Sequence, residues 1–237
     1  MVREKVAGRG EEGEVIYSVE RWRVLREKRA SASHLMKALS AMGLYSVVHG
    51  SVARGDVSPG SDVDVFIPQS IPSYKLELSL ERAGLKIYAK RIVQATPSHT
   101  PKVYYILDPE EKIVVSFPLA RLGVREMEFY YFGGALDLEG LLRDRRVPGV
   151  DKRLILILPT PRGHREESII GREAEVARIL GIGIDTVMER VRVLSRRDEV
   201  GRTGVFLSVE LSPDESVEEA VSRIASRNPA FRRALGG

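Results

Sequence analysis

Cysteine is absent from the 237-residue sequence. Disulfide bonds, thiolate metal sites and cysteine nucleophiles are therefore excluded. Histidine is also scarce, and no two of the four histidines have the spacing at which one helix presents a pair of zinc ligands. The histidines are His34, His49, His99 and His164. We therefore expect any bound metal to be a hard cation with oxygen ligands.

Long apolar runs are missing as well. No segment approaches the roughly 18 consecutive apolar residues that read as a membrane-spanning helix, and the N-terminal residues MVREKVAGRGEEGEV are charged where a signal peptide would be apolar. We therefore expect a cytoplasmic protein with no membrane partner. With 43% hydrophobic and 30% charged residues, the chain has the composition of a globular protein that buries a core.

Amide side chains are rare, with one Asn (Asn228) and two Gln (Gln69 and Gln94). The 37 basic residues comprise 9 Lys and 28 Arg. Few thermolabile amides together with many charges are typical of proteins from hot environments, and we interpret the sequence as thermophilic. A GC-rich genome would also favour Arg. The formal net charge of +4 permits a polyanionic partner without requiring one.

Two prolines and a glycine within residues 159–164 interrupt both helical and strand patterns. We predict a linker there, and hence two domains that span residues 1–158 and 159–237. The elements predicted before the linker are helices over 18–42 and 74–83 and strands over 44–49, 62–67, 102–107, 112–118 and 152–158. This mixture predicts an α+β or α/β domain with a small mixed sheet that helices flank. After the linker we predict helical segments over 171–197 and 216–227, with a hairpin over 200–208 between them.

A glycine and a serine follow the predicted strand that ends at residue 49. Gly50 lets the backbone approach a phosphate closely, and Ser51 adds a hydroxyl donor. Arg54 could add positive charge to a triphosphate site. The candidate nucleotide-binding residues are Gly50, Ser51, Arg54 and Ser61. Taken singly, a Gly-Ser pair is more often an ordinary turn, and an isolated arginine is more often a solvated side chain.

Asp62 and Asp64 are two residues apart on a predicted strand, so both side chains project to the same face. Two neighbouring carboxylates repel each other unless a cation lies between them. A divalent ion that both carboxylates and substrate phosphates hold would remove that cost. Asp62 and Asp64 are therefore the candidate catalytic and metal-binding residues, with a divalent hard cation as the ion. An isolated Asp-x-Asp is more often an exposed strand face.

The combination of Gly50-Ser51, Arg54 and Asp62-Val63-Asp64-Val65 resembles the signature of the DNA polymerase beta nucleotidyltransferase superfamily, in particular its minimal prokaryotic and archaeal members. The resemblance covers residues 45–66. It implies a mixed sheet flanked by helices, magnesium on the two aspartates and nucleotide phosphates at Gly50 and Ser51. It also implies transfer of a nucleoside monophosphate from a nucleoside triphosphate to an acceptor hydroxyl, with release of pyrophosphate.

The sequence departs from the family pattern at the third carboxylate, which the family usually carries on a later strand. Ser116 stands where that acid is expected. Three other acids could fill the role, although each has a more ordinary interpretation. Asp108 belongs to a proline turn that it would cap, and Glu126 and Glu128 fit one face of a helix. Activity is therefore a weaker prediction than the fold.

Residues 173–187 fit a helix-turn-helix, with small Ala177 at the helix crossing, Gly181 in the turn and Val187 packing back on the first helix. In the second helix we predict an inward stripe of Ile184, Val187, Val191 and Leu194. The outward face, predicted to enter a major groove, consists of Thr186, Arg190, Val193 and Arg197. A hairpin around Arg202 would form a wing that touches phosphates. The candidate nucleic-acid-binding residues are Thr186, Arg190, Arg197 and Arg202.

Two functions fit these patterns. The first is a magnesium-dependent nucleotidyltransferase whose winged-helix-like domain binds DNA, RNA or a protein acceptor. The second is a regulator that binds DNA and senses a nucleotide without turnover. The net charge of residues 185–202 is only +1, which leaves a third interpretation of the C-terminal region open, a helical module that packs on the first domain or forms a homodimer.

Overall fold

The computed structural model describes residues 5–201 and 204–236, which form two compact units. Unit 1 takes the described parts of 1–30, 48–61 and 124–203, and unit 2 takes those of 31–47, 62–123 and 204–237. Contacts therefore divide the chain at places other than the predicted boundary of 158/159. Over the described ranges, no helix is both long enough and apolar enough to cross a membrane.

The secondary structure alternates strands and helices along the described chain. The strands are β1 Glu12–Ile16, β2 Val47–His49, β3 Val63–Phe66, β4 Ala89–Gln94, β5 Lys102–Ile106, β6 Ile113–Pro118, β7 Ala135–Asp137, β8 Gly149–Val150, β9 Ile155–Thr160, β10 Gly163–Ser168 and β11 Leu207–Glu210. The helices are α1 Val19–Ala41, α2 Ser51–Arg54, α3 Ser73–Arg82, α4 Val124–Phe132, α5 Leu138–Leu142, α6 Glu173–Leu180, α7 Ile184–Val200, α8 Val217–Arg227 and α9 Pro229–Ala234.

Unit 2 contains a mixed sheet in the order β11-β4-β5-β6-β3. β3 and β6 are parallel, whereas the other neighbouring strands are antiparallel. One face of this sheet is closed: Val65, Tyr105 and Val115 are almost completely buried. The Tyr105 hydroxyl donates to Glu77 of α3 at 2.8 Å, so α3 lies over this face. The prediction of a mixed sheet flanked by helices is confirmed.

The C-terminal segment also belongs to unit 2. β11 pairs with β4, and Val209 lies opposite Ile92. The turn of the hairpin predicted over 200–208 lies at residues 202 and 203, outside the described residues, whereas Val200 ends α7 and Leu207 and Ser208 pair with β4. The wing that it would have formed is therefore not supported. Glu218 of α8 accepts from the Ser73 amide and hydroxyl at 2.9 and 2.7 Å, which fixes α8 to the start of α3.

Unit 1 contains an antiparallel sheet in the order β1-β10-β9-β8. In its core, Leu154, which precedes β9, and Leu156 of β9 pack with Val176 of α6 and Val187 of α7. The helical segment predicted over 171–197 consists of α6 and α7, and Gly181 after α6 adopts the left-handed conformation (φ 66°) that ends that helix. The prediction of two helices joined by a turn at Gly181 is thus confirmed.

The predicted linker over 159–164 is a tight connection between β9 and β10. β9 continues to Thr160, and β10 begins at Gly163. A Cβ atom at Gly163 would lie 1.9 Å from the carbonyl oxygen of Val15, so only glycine allows β1 to pack so closely. The linker prediction is wrong because the glycine serves a close strand contact rather than a flexible connection.

Candidate functional site

The turn after β2 lies in unit 1 and depends on Gly50. Its φ of 76° is in the left-handed region that favours glycine. The Gly50 amide donates to the Gly134 carbonyl at 2.9 Å, and the Gly50 carbonyl accepts from the amides of Ala53 and Arg54 at 3.1 Å each. Ser51 begins α2 and is half-buried. The predicted phosphate contacts of Gly50 and Ser51 remain predictions of the sequence motif.

Arg54 is buried, and its guanidinium forms hydrogen bonds with protein atoms. Its Nε and Nη2 donate to the two carboxylate oxygens of Asp56 at 3.0 and 2.9 Å, and its Nη1 donates to the Gly133 carbonyl at 2.6 Å. A Cβ atom at Gly134 would lie 2.8 Å from Arg54 Cγ, so glycine leaves room for this side chain. Protein atoms thus engage its guanidinium, and its predicted contact with a triphosphate remains a prediction.

Ser61 closes a short loop in unit 1. Its hydroxyl accepts from the Ser58 amide at 2.9 Å, and its own amide donates to the Ser58 carbonyl at 3.0 Å. The hydroxyl therefore has a local role in shaping the chain just before Asp62. Its predicted contact with nucleotide remains a prediction.

In unit 2, Asp64 lies on the less buried face of the sheet. The parallel register pairs Asp64 with Val114 and Phe66 with Ser116, and the antiparallel register pairs Ser116 with Tyr104. Paired residues project to the same side of a sheet. We call the side formed by Asp64, Phe66, Tyr104, Val114 and Ser116 the Asp64 face. Asp64, Tyr104 and Val114 are partly exposed, whereas Phe66 and Ser116 are buried.

Asp62 immediately precedes β3 and is exposed. The amide of Val63 donates to the Lys112 carbonyl at 2.7 Å, so sheet pairing starts next to Asp62. Glu110 raises the pKa of the Lys112 ammonium, and Asp62 adds a smaller contribution of the same sign. The two-residue period of a strand predicts a common side for Asp62 and Asp64. The sheet register includes Asp64 but begins at Val63, so the side of Asp62 remains a prediction.

Tyr104 is a site residue that the sequence patterns did not single out. Burial and, to a smaller extent, the nearby Asp64 carboxylate together raise the pKa of its hydroxyl to about 12. The Lys102 ammonium lies 5.7 Å from the centre of the Phe66 ring, which adds a cation near the Asp64 face. Alternation along β5 could have placed Lys102 and Tyr104 on one side, but only the register with β6 places that side beside Asp64.

The three candidates for the third carboxylate lie in a turn and in helix α4. Asp108 caps its turn: its carboxylate accepts from the Ile113 amide at 2.6 Å and the Glu110 amide at 3.2 Å. Glu126 lies in the first turn of α4. Glu128 accepts from the Gly183 amide at 3.0 Å and so holds the start of α7.

Within residues 5–201 and 204–236, no group of three or more His, Asp or Glu side chains is placed to hold a metal ion. Asp62 and Asp64 nevertheless offer the oxygen donors that magnesium prefers. Magnesium sites of this kind commonly use one or two carboxylates, with substrate phosphates and water as the other ligands. The pair therefore fits a divalent ion that arrives with a nucleotide. Ser116 lies on the same side but supplies only a neutral hydroxyl.

The α7 face that was predicted to enter a major groove is largely packed against α4. Thr186 is buried, and its hydroxyl donates to the Glu128 carboxylate. The guanidinium of Arg190 stacks 4.9 Å from the centre of the Phe129 ring. Arg197 is half-buried. The assignment of Thr186 and Arg190 to a groove is therefore corrected, because α4 covers them.

The fourth residue of that predicted set, Arg202, lies outside the described residues.

Comparison with known proteins gives one match. Residues 35–119 match the family model of a nucleotidyltransferase domain. No curated protein and no solved structure matches the chain. The matched segment contains Gly50, Ser51, Asp62, Asp64 and Ser116, and it contains the parallel strand pair that carries Asp64.

Proposed function

From the nucleotidyltransferase domain in residues 35–119, we propose that the protein transfers a nucleoside monophosphate from a nucleoside triphosphate to an acceptor hydroxyl. The observation that supports this proposal is the pair of carboxylates inside the matched segment, with Asp64 in β3 and Asp62 immediately before it. Two carboxylates in that arrangement suit a divalent ion and the phosphates that accompany it.

In the proposed reaction, the acceptor oxygen forms a bond to the α-phosphorus as the bond to the bridging oxygen of pyrophosphate breaks. The acceptor hydroxyl loses its proton, and pyrophosphate leaves with the electron pair of the broken bond. Asp62 and Asp64 would hold magnesium or manganese, which supplies charge neutralisation at the triphosphate. Gly50 and Ser51 keep the role that the motif predicts, donation to phosphate oxygens.

The serine at position 116 predicts a slow rate of nucleotidyl transfer. A serine hydroxyl neither carries negative charge nor takes up a proton at neutral pH, so the site lacks a group that would help to activate the acceptor. We therefore expect a measurement of nucleotide binding to identify the site more clearly than a measurement of turnover. Replacement by aspartate (Ser116→Asp) should raise a slow transfer rate with little change in nucleotide affinity, because the gain would arise mainly in the transition state.

A second candidate function rests on the same residue. With Ser116 in place of an acid and no three-carboxylate group among the described residues, the domain could bind a nucleotide without turnover. The protein would then be a nucleotide sensor. Pyrophosphate release distinguishes the two functions directly.

The test is incubation of the full chain with each of the four labelled nucleoside triphosphates and magnesium, with pyrophosphate release as the readout. The first function predicts release that Asp64→Asn abolishes and that Glu81→Gln leaves unchanged. Glu81 is the matched control because it is an exposed acid of α3 in the same unit. Magnesium-dependent binding of a nucleotide without pyrophosphate release would instead favour the sensor.

A further inference from the structure

One side of α7 remains open after α4 has covered Thr186. Residues spaced by four along the helix form this side, which we call the α7 open face: Ile184, Met188, Arg192 and Arg196. All four are exposed, and Met188 is the most exposed of the apolar pair at 55%. Polar residues predominate on the outer side of a helix whose role is purely structural. The α7 open face differs, because two exposed apolar residues precede its two arginines.

A cleft of about 600 Å³ adjoins the α7 open face. It lies between α6 and α7 and belongs wholly to unit 1. Its lining includes Arg172, Arg178, Ile184, Met188 and Arg192. Apolar contact area and positive charge thus occur together in one concave surface.

Of the acids near this surface, Glu173 of the cleft lining accepts from the Gly171 amide, and three others pair with arginine. Glu175 pairs with Arg172 at 2.8 Å. On α7, Asp185 and Glu189 lie 3.2 and 3.5 Å from the guanidinium of Arg125. These contacts offset negative charge that would otherwise oppose a polyanion.

The arginines of this surface that have no acidic partner are exposed. Arg178 lies on α6, and Arg192 and Arg196 lie one turn apart on α7. Among the described residues, none of the three forms an ion pair within 4.0 Å. The surface therefore has three guanidinium groups available for an anionic partner, although the whole segment 185–202 carries a net charge of only +1.

We propose that the α7 open face, together with Arg178, binds duplex DNA. The 17 residues of α7 make a rod about 25 Å long and about 10 to 12 Å wide with side chains, which fits the roughly 12 Å major groove of B-form DNA. Arg192 and Arg196 would contact phosphates, and Ile184 and Met188 would contact thymine methyl groups. The deep, narrow major groove of double-stranded RNA does not admit such a helix.

This surface differs from the one that the sequence predicted. It uses the opposite side of α7 from Thr186 and Arg190, and it needs no wing. It is also independent of the proposed transfer reaction, because no residue of the Asp64 face takes part. DNA binding and nucleotidyl transfer can therefore fail separately.

The test measures binding of the full chain to a fluorescent 20-base-pair duplex between about 50 and 200 mM salt. Three phosphate contacts predict a log–log slope of about −2.7, which corresponds to a loss of affinity of about 40-fold over that range. Arg178→Ala, Arg192→Ala and Arg196→Ala should each make the slope shallower by about one. Arg143→Ala is the matched control, since Arg143 is exposed in the same unit and pairs with Glu139. Its slope should equal that of the wild type.

Three results would overturn the proposal. The first is no binding to the duplex at 50 mM salt by a wild type that thermal unfolding shows to be folded. The second is binding whose salt slope none of the three arginine variants changes. The third is a dimer by light scattering that Met188→Glu dissociates, because a second copy of the chain would then occupy the α7 open face.

Discussion

Arg54 has either a structural role or a phosphate-binding role, and one substitution distinguishes the two. In Arg54→Met, the aliphatic stem remains, whereas the guanidinium that pairs with Asp56 and donates to the Gly133 carbonyl is lost. The Arg54 and Asp56 side chains are only 7% and 11% exposed. Removal of the arginine therefore leaves the Asp56 carboxylate buried without its cation, a change that typically costs about 3 to 5 kcal/mol.

For a chain of this length that loss corresponds to a fall in Tm of roughly 6 to 20 °C. Trp22 is the single tryptophan and lies in unit 1, as Arg54 does, so its fluorescence reports on the unit concerned. Because the chain has two compact units, the unfolding of unit 1 should be followed with this probe rather than with a global signal. Arg143→Met, at a side chain 71% exposed, should change the free energy of unfolding by less than about 0.5 kcal/mol.

The double substitution Arg54→Met with Asp56→Leu sharpens the measurement. If the loss in Arg54→Met comes from an unpaired buried carboxylate, removal of that carboxylate should restore much of the stability. A stable Arg54→Met variant with weakened nucleotide binding would refute this reasoning. It would return Arg54 to the triphosphate contact that the sequence predicts.

Two further predictions concern unit 1. Glu128→Ala should lower the free energy of unfolding by about 1 to 3 kcal/mol, because the Gly183 amide and the buried Thr186 hydroxyl lose their acceptor. His164 is buried, accepts or donates a 2.7 Å hydrogen bond with Tyr17, and has a pKa that burial lowers. The unfolded chain therefore binds the proton more readily, so stability should fall as the pH drops below about 6.5, and His164→Gln should remove that part of the pH dependence in denaturation curves.

Exposed residues serve as controls for both. Glu139→Ala removes a surface pair with Arg143 and should cost less than about 0.5 kcal/mol. His34→Gln, at an exposed histidine of α1, should leave the pH dependence of stability unchanged. A Glu128 variant as stable as the Glu139 variant would mean that the start of α7 does not depend on α4. An unchanged pH profile in His164→Gln would assign the pH dependence to other groups.

Elements with a regular apolar period could be predicted from the sequence. The alternation of Val63 and Val65 with Asp62 and Asp64 predicts a strand, and β3 covers Val63–Phe66. The pattern is reliable there because Val63 and Val65 on one side are almost completely buried, whereas Asp64 on the other side is partly exposed. β4 was missed because its inward side carries Lys90 and Gln94, which are buried polar residues. The Lys90 ammonium donates to the Glu215 carbonyl at 2.6 Å, a partner 125 residues away that no local pattern reveals.

The errors at α7 have the same origin. The helical period correctly indicates amphipathic helices around Gly181, but it does not say which neighbour covers a polar side chain. Thr186 is buried because Glu128, 58 residues earlier, supplies an acceptor. Gly163 looked like part of a linker because its close contact with Val15 is also distant in sequence. Local spacing thus predicts elements, whereas the faces they expose depend on tertiary contacts.

In the proposed site, Asp62 and Asp64 bind a divalent ion together with a nucleoside triphosphate. Calorimetric titration of the full chain with each nucleoside triphosphate, with magnesium and with a chelator in its place, measures this binding. We predict binding that requires magnesium or manganese and that Asp64→Asn largely abolishes, while Glu81→Gln binds as the wild type does. Equal binding with and without a divalent ion, or wild-type affinity in Asp64→Asn, would contradict the assignment of the site.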